Sequence, residues 1–437
     1  MPTGVANGYD ERGYYRIWGL PPGEYLIQAG PTVTTVSDLV ETTVADLQWA
    51  TRTTGRPVGS GALEPAPRSV HVAFPPCYYP GTSEESQALP VSVGVGEERT
   101  GVNYRGSTVR AATIRGQMFD PTGSPPAAVQ AAMVLPNSMV QRPPTVIVRP
   151  AEDGTFSVSR VPPGDYVLVV RGAMNGEAAG TPPSSPAPGS VFSPTLPLWA
   201  TINLSVNGVD LENVGVHLQR GMTVAGRVAL DRRAASSPPD FSAMRVNLIP
   251  SGGNLSLALT APPASVSPDG TFTLTGVPAN SFRVSVAMAA ADARVWTFGA
   301  ASIGGRDAAD LPIDIGAGED VTDALVTLTD SPAELSGRLL DGTGQPVPGY
   351  ALLAFSTDPR YWLSQSRRVA LVHSATDGSY TFTGLPPGEY YLCAASDIAE
   401  ARIDDSGLLE TLVGIAVRVT LGDGEEKQLD FAFAAAE

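Results

Sequence analysis

Lysine is almost missing: Lys427 is the only one, and arginine carries the rest of the positive charge. That excludes most schemes in which Lys–Asn isopeptide bonds brace a surface adhesin. Charge of either sign is sparse, 16% of 437 residues against 43% hydrophobic, so a disordered acidic polymer is excluded as the main state. Cysteine is rare. Cys77 and Cys393 match no metal spacing and make no disulfide framework, and both read as small buried apolar residues. Long apolar runs are missing as well, and nothing approaches the ~20 residues of a membrane span. The net charge of −16 repels phosphate backbones and argues against a nucleic-acid partner. Met1 to Val5 show neither the basic start nor the apolar core of a signal peptide. Either a signal has been removed or the sequence starts inside a gene.

What is abundant is glycine, 46, and proline, 40, too much for a helical protein. The length predicts three or four domains. These residues are organised in a repeat. It runs from Gly13-Tyr14-Tyr15 to Leu20-Pro21-Pro22-Gly23-Glu24-Tyr25, and from Asp153-Gly154-Thr155-Phe156 to Val161-Pro162-Pro163-Gly164-Asp165-Tyr166. It returns from Asp269-Gly270-Thr271-Phe272 to Val277-Pro278-Ala279-Asn280-Ser281-Phe282, and from Asp377-Gly378-Ser379-Tyr380 to Leu385-Pro386-Pro387-Gly388-Glu389-Tyr390. The interval from glycine to the second aromatic is twelve residues in every copy.

Asp-Gly turns the chain into a strand, and alternate residues such as Phe156 and Val158 share a face. Pro-Pro-Gly then breaks the strand, and alternation resumes with Tyr166, Leu168 and Val170. The pattern predicts a β-hairpin closed by a proline turn. In three copies a short strand precedes it, at Ile114-Arg115-Gly116-Gln117, Val224-Ala225-Gly226-Arg227 and Leu335-Ser336-Gly337-Arg338. A closing strand ends every copy, after acidic turns such as Gly96-Glu97-Glu98, Gly318-Glu319-Asp320 and Asp423-Gly424-Glu425-Glu426. The fold class expected is all-β: four tandem seven-stranded-type antiparallel β-sandwiches forming an elongated rod, at 1–108, 109–220, 221–331 and 332–437. Gly180 to Pro197 reads as a surface loop, Ser37 to Ala50 as a helical turn with Leu39, Val40, Val44 and Leu47 on its apolar side, and Asp404 to Leu412 as a short helix.

The D-G-x-[FY] to P-P-G-[ED]-Y unit, preceded by G-[RQ]-[VLM] and D-x-x-G-x-P, resembles the carboxypeptidase regulatory-like domain over nearly the whole chain. Stretches such as Tyr78 to Thr82, Pro197 to Ala200, Pro332 to Gly337 and Phe355 to Trp362 look like multi-module envelope or secreted proteins of acidobacteria. The resemblance implies a transthyretin-like sandwich, an extracellular or cell-surface location, and no single activity.

Catalytic chemistry is not visible. None of His71, His217 and His373 is followed three residues later by glutamate, as a zinc pair of metallocarboxypeptidase type needs. The acidic turns lack the alternating ligand spacing of a Ca²⁺ loop. No cofactor, metal site or enzyme activity is expected. One constellation stands above background: Arg360, Tyr361, Trp362, Arg367 and Arg368, a possible ligand or subunit contact. Two aromatics beside three guanidiniums could stack on a sugar or grip carboxylates. Alternatively, the arginines pack on their own aromatics. Tyr78 and Tyr79 form a weaker pair that reads as core.

The first copy has only twelve residues before Gly13 and lacks its opening strand pair. Three explanations stand: a truncated sequence, a smaller sheet, or a strand supplied by a neighbouring molecule. Head-to-tail repetition of that last arrangement builds a filament, making a homo-oligomer. A structural fibre protein is the leading expectation. A carbohydrate- or peptide-binding array with a polysaccharide or cell-surface partner, and an accessory segment of a larger envelope enzyme or transporter, are the alternatives.

Overall fold

A computed structural model describes residues 12–29, 40–54, 70–135, 146–174, 196–234, 236–251, 259–363, 365–395, 403 and 405–432. The chain is almost all β, as the alternation predicts. The α-helices among the described residues are Val44–Thr54 and Ser406–Leu412. Two compact units form, one of Trp18–Arg220 with Gly252–Leu259, the other of Met1–Ile17, Gly221–Ser251 and Thr260–Glu437.

In the second copy a five-stranded sheet runs in the order Val146–Val148, Ala127–Val134, Gly164–Ala173, Leu198–Val206, Gln219–Arg220. It faces a three-stranded sheet of Thr155–Val161, Ala112–Phe119 and Leu211–His217. Ile114, Met118, Met133, Leu168, Val170, Leu198 and Val216, each fully buried, fill the space between them. The third copy builds a five- and a four-stranded sheet, and the fourth builds two four-stranded sheets. The strand complement thus exceeds the seven expected, because short edge strands are added.

Two expectations are corrected. The proline turn does not close a hairpin. Thr155–Val161 pairs with the opening strand Ala112–Phe119, whereas Gly164–Ala173 pairs with Ala127–Val134 and Leu198–Val206 in the other sheet. The same division separates Thr271–Val277 from Asn280–Ala287, and Ser379–Thr383 from Gly388–Ala395. Pro-Pro-Gly is therefore a corner by which the chain crosses from sheet to sheet. The tyrosine that follows pins it: Tyr166 Oη donates to Pro162 O at 3.1 Å and Tyr390 Oη to Pro386 O at 2.5 Å. Tyr25 makes the same bond to Pro21. The fixed interval between turn glycine and second aromatic reflects this corner.

The second correction concerns the closing strand, which runs parallel to the opening strand. Val214 pairs with Gly116, Ala324 with Gly226, and Leu339 with Phe431. The closing strand bulges where it passes the glycine of the G-[RQ] motif. A Cβ at Gly116 would meet Val214 O at 2.1 Å, at Gly226 Ala324 O at 2.0 Å, and at Gly337 Leu429 O at 1.9 Å. Only glycine admits that approach. An aspartate on the closing segment anchors each bulge: Asp210 accepts from Thr113 N at 2.8 Å, Asp320 from Thr223 N at 2.7 Å and Asp430 from Arg338 N at 3.0 Å.

The Asp-Gly turn behaves as its residues predict. Asp153 Oδ1 accepts from Thr155 N at 2.9 Å and from Thr155 Oγ1 at 2.6 Å, and Asp269 and Asp377 do the same with Thr271 and Ser379. Gly154, at φ +79°, presents its carbonyl to Met118 N at 2.9 Å.

The first copy differs. Among the described residues only the second arm is a strand, Gly23–Tyr25, paired with Val91–Val93. Residues 12–22 carry no strand, and Trp18 is 81% exposed. The helix predicted over Ser37 to Ala50 is displaced. Val40–Glu41 is a strand, and the helix runs over Val44–Thr54, set by a capping box in which Asp46 accepts from Thr43 N and donates its own N–H to Thr43 Oγ1. Its intended apolar side is open, with Val44 and Leu47 exposed. The helix expected at Asp404 to Leu412 forms as Ser406–Leu412 under the N-cap Asp405. The loop expected at Gly180 to Pro197 lies outside the described residues except for Leu196 and Pro197.

Candidate functional site

The Arg/Tyr/Trp cluster occupies the connection between strands Ala351–Ser356 and Val369–His373 of the fourth copy. Asp358 caps a 3-10 turn over Pro359–Tyr361 by accepting from Arg360 N. It also pairs with the Arg360 guanidinium at 2.6 Å, and this hydrogen bond holds the Asp358 carboxyl below its usual range. Arg360 itself points to solvent. Trp362 turns inward. Its Nε1 donates to Ser356 O at 2.7 Å, and its ring meets the Phe355 ring edge-on at 5.7 Å. Tyr361 lies under the Arg368 guanidinium, 4.5 Å from its ring centre.

Arg367 and Arg368 converge on one carboxylate of the third copy. Arg367 Nε stands 2.8 Å from Asp310 Oδ1, and Arg368 Nε 2.9 Å from Asp310 Oδ2. The Asp310 side chain is 2% exposed. Arg367 Nη1 also donates to Phe298 O at 2.7 Å, and its guanidinium sits 4.6 Å above the Phe298 ring. Arg368 Nη1 donates to Pro387 O at 2.9 Å, at the proline corner of its own copy. Burial opposes the Arg368 charge, but Tyr390 and Asp310 outweigh it and leave the pKa above the ordinary guanidinium value. Burial pushes the neighbouring Tyr390 phenol up to about 12. Nearby, Arg283 of the third copy donates to Gln365 O at 3.3 Å, and Arg233 pairs with Asp423.

The geometry therefore brings together three of the five sequence-predicted residues, Tyr361, Arg367 and Arg368. It sends Trp362 into its own copy and Arg360 outward. Such a double pair between two copies resists their separation and carries no reactive group. Sequence reasoning missed Asp310 and Phe298. The signal available was local: Asp310 stands among Ala308, Ala309 and Leu311, an apolar setting that calls for burial and so for a cation.

The remaining candidates serve the turns they stand on. Glu97 accepts from Gly94 N at 2.7 Å and Glu425 from Gly422 N at 2.6 Å. The Gly422 bond holds the Glu425 carboxyl below its usual range. Tyr78 is buried and donates to Glu85 at 3.0 Å, whereas Tyr79 meets Tyr104 edge-on. Cys77 and Cys393 are buried free thiols. His217 stacks on Phe119 at 5.1 Å. Among the described residues no cluster of His, Cys, Asp or Glu is arranged to hold a metal ion, and no helix is long and apolar enough to cross a membrane.

No protein-family model matches the chain, and no curated protein matches it. Among solved structures it is similar to a streptococcal ancillary pilin, at 12% identity over 74% of this chain and 99% of that one, with a TM-score of 0.21. A minor pilin of Streptococcus agalactiae matches at 13% identity over 50% and 97%, with a TM-score of 0.24. The major pilin subunit of Bacillus cereus matches at 8% over 74% and 99%, with a TM-score of 0.18. Similarity this low does not speak to the role of the chain.

Proposed function

We propose that this chain is a non-catalytic structural protein, an array of β-sandwich copies that acts outside the cell or at its surface and joins head to tail into filaments. The observation that carries the reading is the Asp310–Arg367–Arg368 contact. The cluster richest in cations and aromatics is engaged in holding one copy to the next, and its carboxylate partner is buried. In such an array each copy is held by its contacts with its neighbours, which suits a spacer that bears load.

The first copy supports assembly. Residues 12–22 carry no strand, and Trp18 is exposed, where the other copies pair a first arm with an opening strand. A strand from a second chain laid beside the two-stranded sheet of Gly23–Tyr25 and Val91–Val93 would extend it, and a heterologous contact that does not close gives an open filament. The division at 1–108, 109–220, 221–331 and 332–437, and membership of the carboxypeptidase regulatory-like class, belong to the same proposal. Electron microscopy of the purified chain, with light scattering over a concentration series, tests it. Filaments or concentration-dependent oligomers are expected. A monodisperse monomer at every concentration, with its first copy folded unaided, overturns the assembly reading.

A further inference from the structure

Four positions recur on the outer face of the sheet that carries the second arm. In the second copy they are the paired residues Val134 and Val167, and Ala132 and Val169. In the third copy the equivalent pairs are Ile249 with Arg283 and Asn247 with Ser285; in the fourth, Phe355 with Tyr391 and Leu353 with Cys393. Their neighbours Leu168, Val284 and Leu392 are buried on the opposite, inner face.

The cover over this face has one origin in the second and third copies. Over the second copy, Leu259 closes with Ala132, Val134, Val167 and Val169 into one buried cluster. Leu259 lies in the connection between Arg245–Pro250 and Ala264–Ser265 of the following copy. Over the third copy, Arg283 is 8% exposed and donates to the carbonyl of Gln365. Gln365 lies in the matching connection of the fourth copy, between Ala351–Ser356 and Val369–His373. The fourth copy covers the same positions with its own chain. Leu409 and Leu412 of the helix Ser406–Leu412 bury Leu353, Phe355, Tyr391 and Cys393.

We infer that this helix is an intramolecular cap on a copy-docking face, standing where the connection of a following copy stands elsewhere. The face beneath it fits that connection from a second copy of the chain, and the helix keeps it closed. The face is also far more apolar than that of the third copy, with leucine, phenylalanine, tyrosine and cysteine where the third copy has asparagine, isoleucine, arginine and serine. A helix of seven residues is too short to persist in water by itself, so its attachment is its packing. Detachment is therefore a local event. The inference rests on these contacts and not on the filament reading: a chain that never forms filaments can still carry the cap.

Cys393 reports on it. The thiol is 1% exposed, and burial pushes its pKa up to about 12, so it is inert while covered. In a Cys77→Ser background, maleimide labelling of Cys393 below the unfolding transition should proceed by an opening whose rate hardly changes with denaturant, because little surface is exposed. Leu409→Ser with Leu412→Ser should raise the labelling rate by about two orders of magnitude. Far-UV circular dichroism should be retained, and sedimentation should show concentration-dependent self-association. Labelling of the parent that follows global unfolding, or loss of the fourth copy's thermal transition in the double variant, makes the helix part of the core and overturns the cap. A double variant that labels fast yet stays monomeric overturns the docking face.

Discussion

Replacing Asp310 by alanine removes the carboxylate that two guanidiniums share. The side chains of Arg368 and Arg367 are 15% and 25% exposed, so both would be left largely desolvated without their counter-charge. Removing one partner of a buried pair costs ~3–5 kcal/mol. Here Arg367 keeps its bonds to the Phe298 and Gly299 carbonyls and Arg368 its bond to Pro387, which lowers the expected loss to ~2–3 kcal/mol. The loss falls on the contact between the third and fourth copies and on neither core. For a cooperative block of about 200 residues this corresponds to ~4–12 °C. Scanning calorimetry should show the shared transition lowered and split, as two copies that melted together begin to melt apart. Asp310→Asn keeps the shape and one acceptor and should fall between parent and alanine variant. The pair is nearly buried, so about 0.5 M salt should move the parent midpoint little. A change below about 0.5 kcal/mol for Asp310→Ala, with a single unsplit transition, would refute the reasoning, since that is the effect of an ordinary surface substitution.

Two further outcomes follow from the bulges and turns. Gly226→Ala drives a methyl into the Ala324 carbonyl and should destabilise by roughly 3 kcal/mol or more, whereas Gly304→Ala, at φ +59° with open space around it, should cost only ~1–2 kcal/mol; chemical denaturation of the two variants checks the ranking. Burial raises the Asp330 carboxyl, but the N–H groups of Ala234, Ser236 and Arg233 outweigh it and hold the group at about 2. The folded value lies below the unfolded 3.8, so this stabilisation is complete above about pH 4 and is lost as pH falls toward 2. Asp330→Asn should flatten that acid limb in a pH series of denaturation midpoints.

Strand alternation was readable because a half-buried strand must alternate, as Phe156 and Val158 do. The corner was not. Pro-Pro-Gly between two alternating arms looks the same whether the arms pair with each other or cross between sheets, and the long-range strand pairings decide between the cases, with Tyr166 and Tyr390 pinning the corner to Pro162 and Pro386. The parallel closing strand was hidden for a similar reason, since a glycine at 116, 226 or 337 marks a close approach without naming what approaches. At the candidate site, the adjacency of Arg367 and Arg368 was legible. Their partner was not, because Asp310 lies 57 residues from Arg367 in another copy and chain distance carries no information about that contact. The displaced helix at Val44–Thr54 follows from the Thr43–Asp46 capping pair, a local signal stronger than the apolar spacing upstream of it.

The parallel pairing of the opening and closing strands in the second, third and fourth copies has a mechanical consequence. Tension applied to the chain on either side of such a copy pulls these two strands in opposite directions along their own length. Their rungs lie across that direction and are strained together instead of being unzipped singly, so these three copies meet stretching in the geometry that shares force most widely.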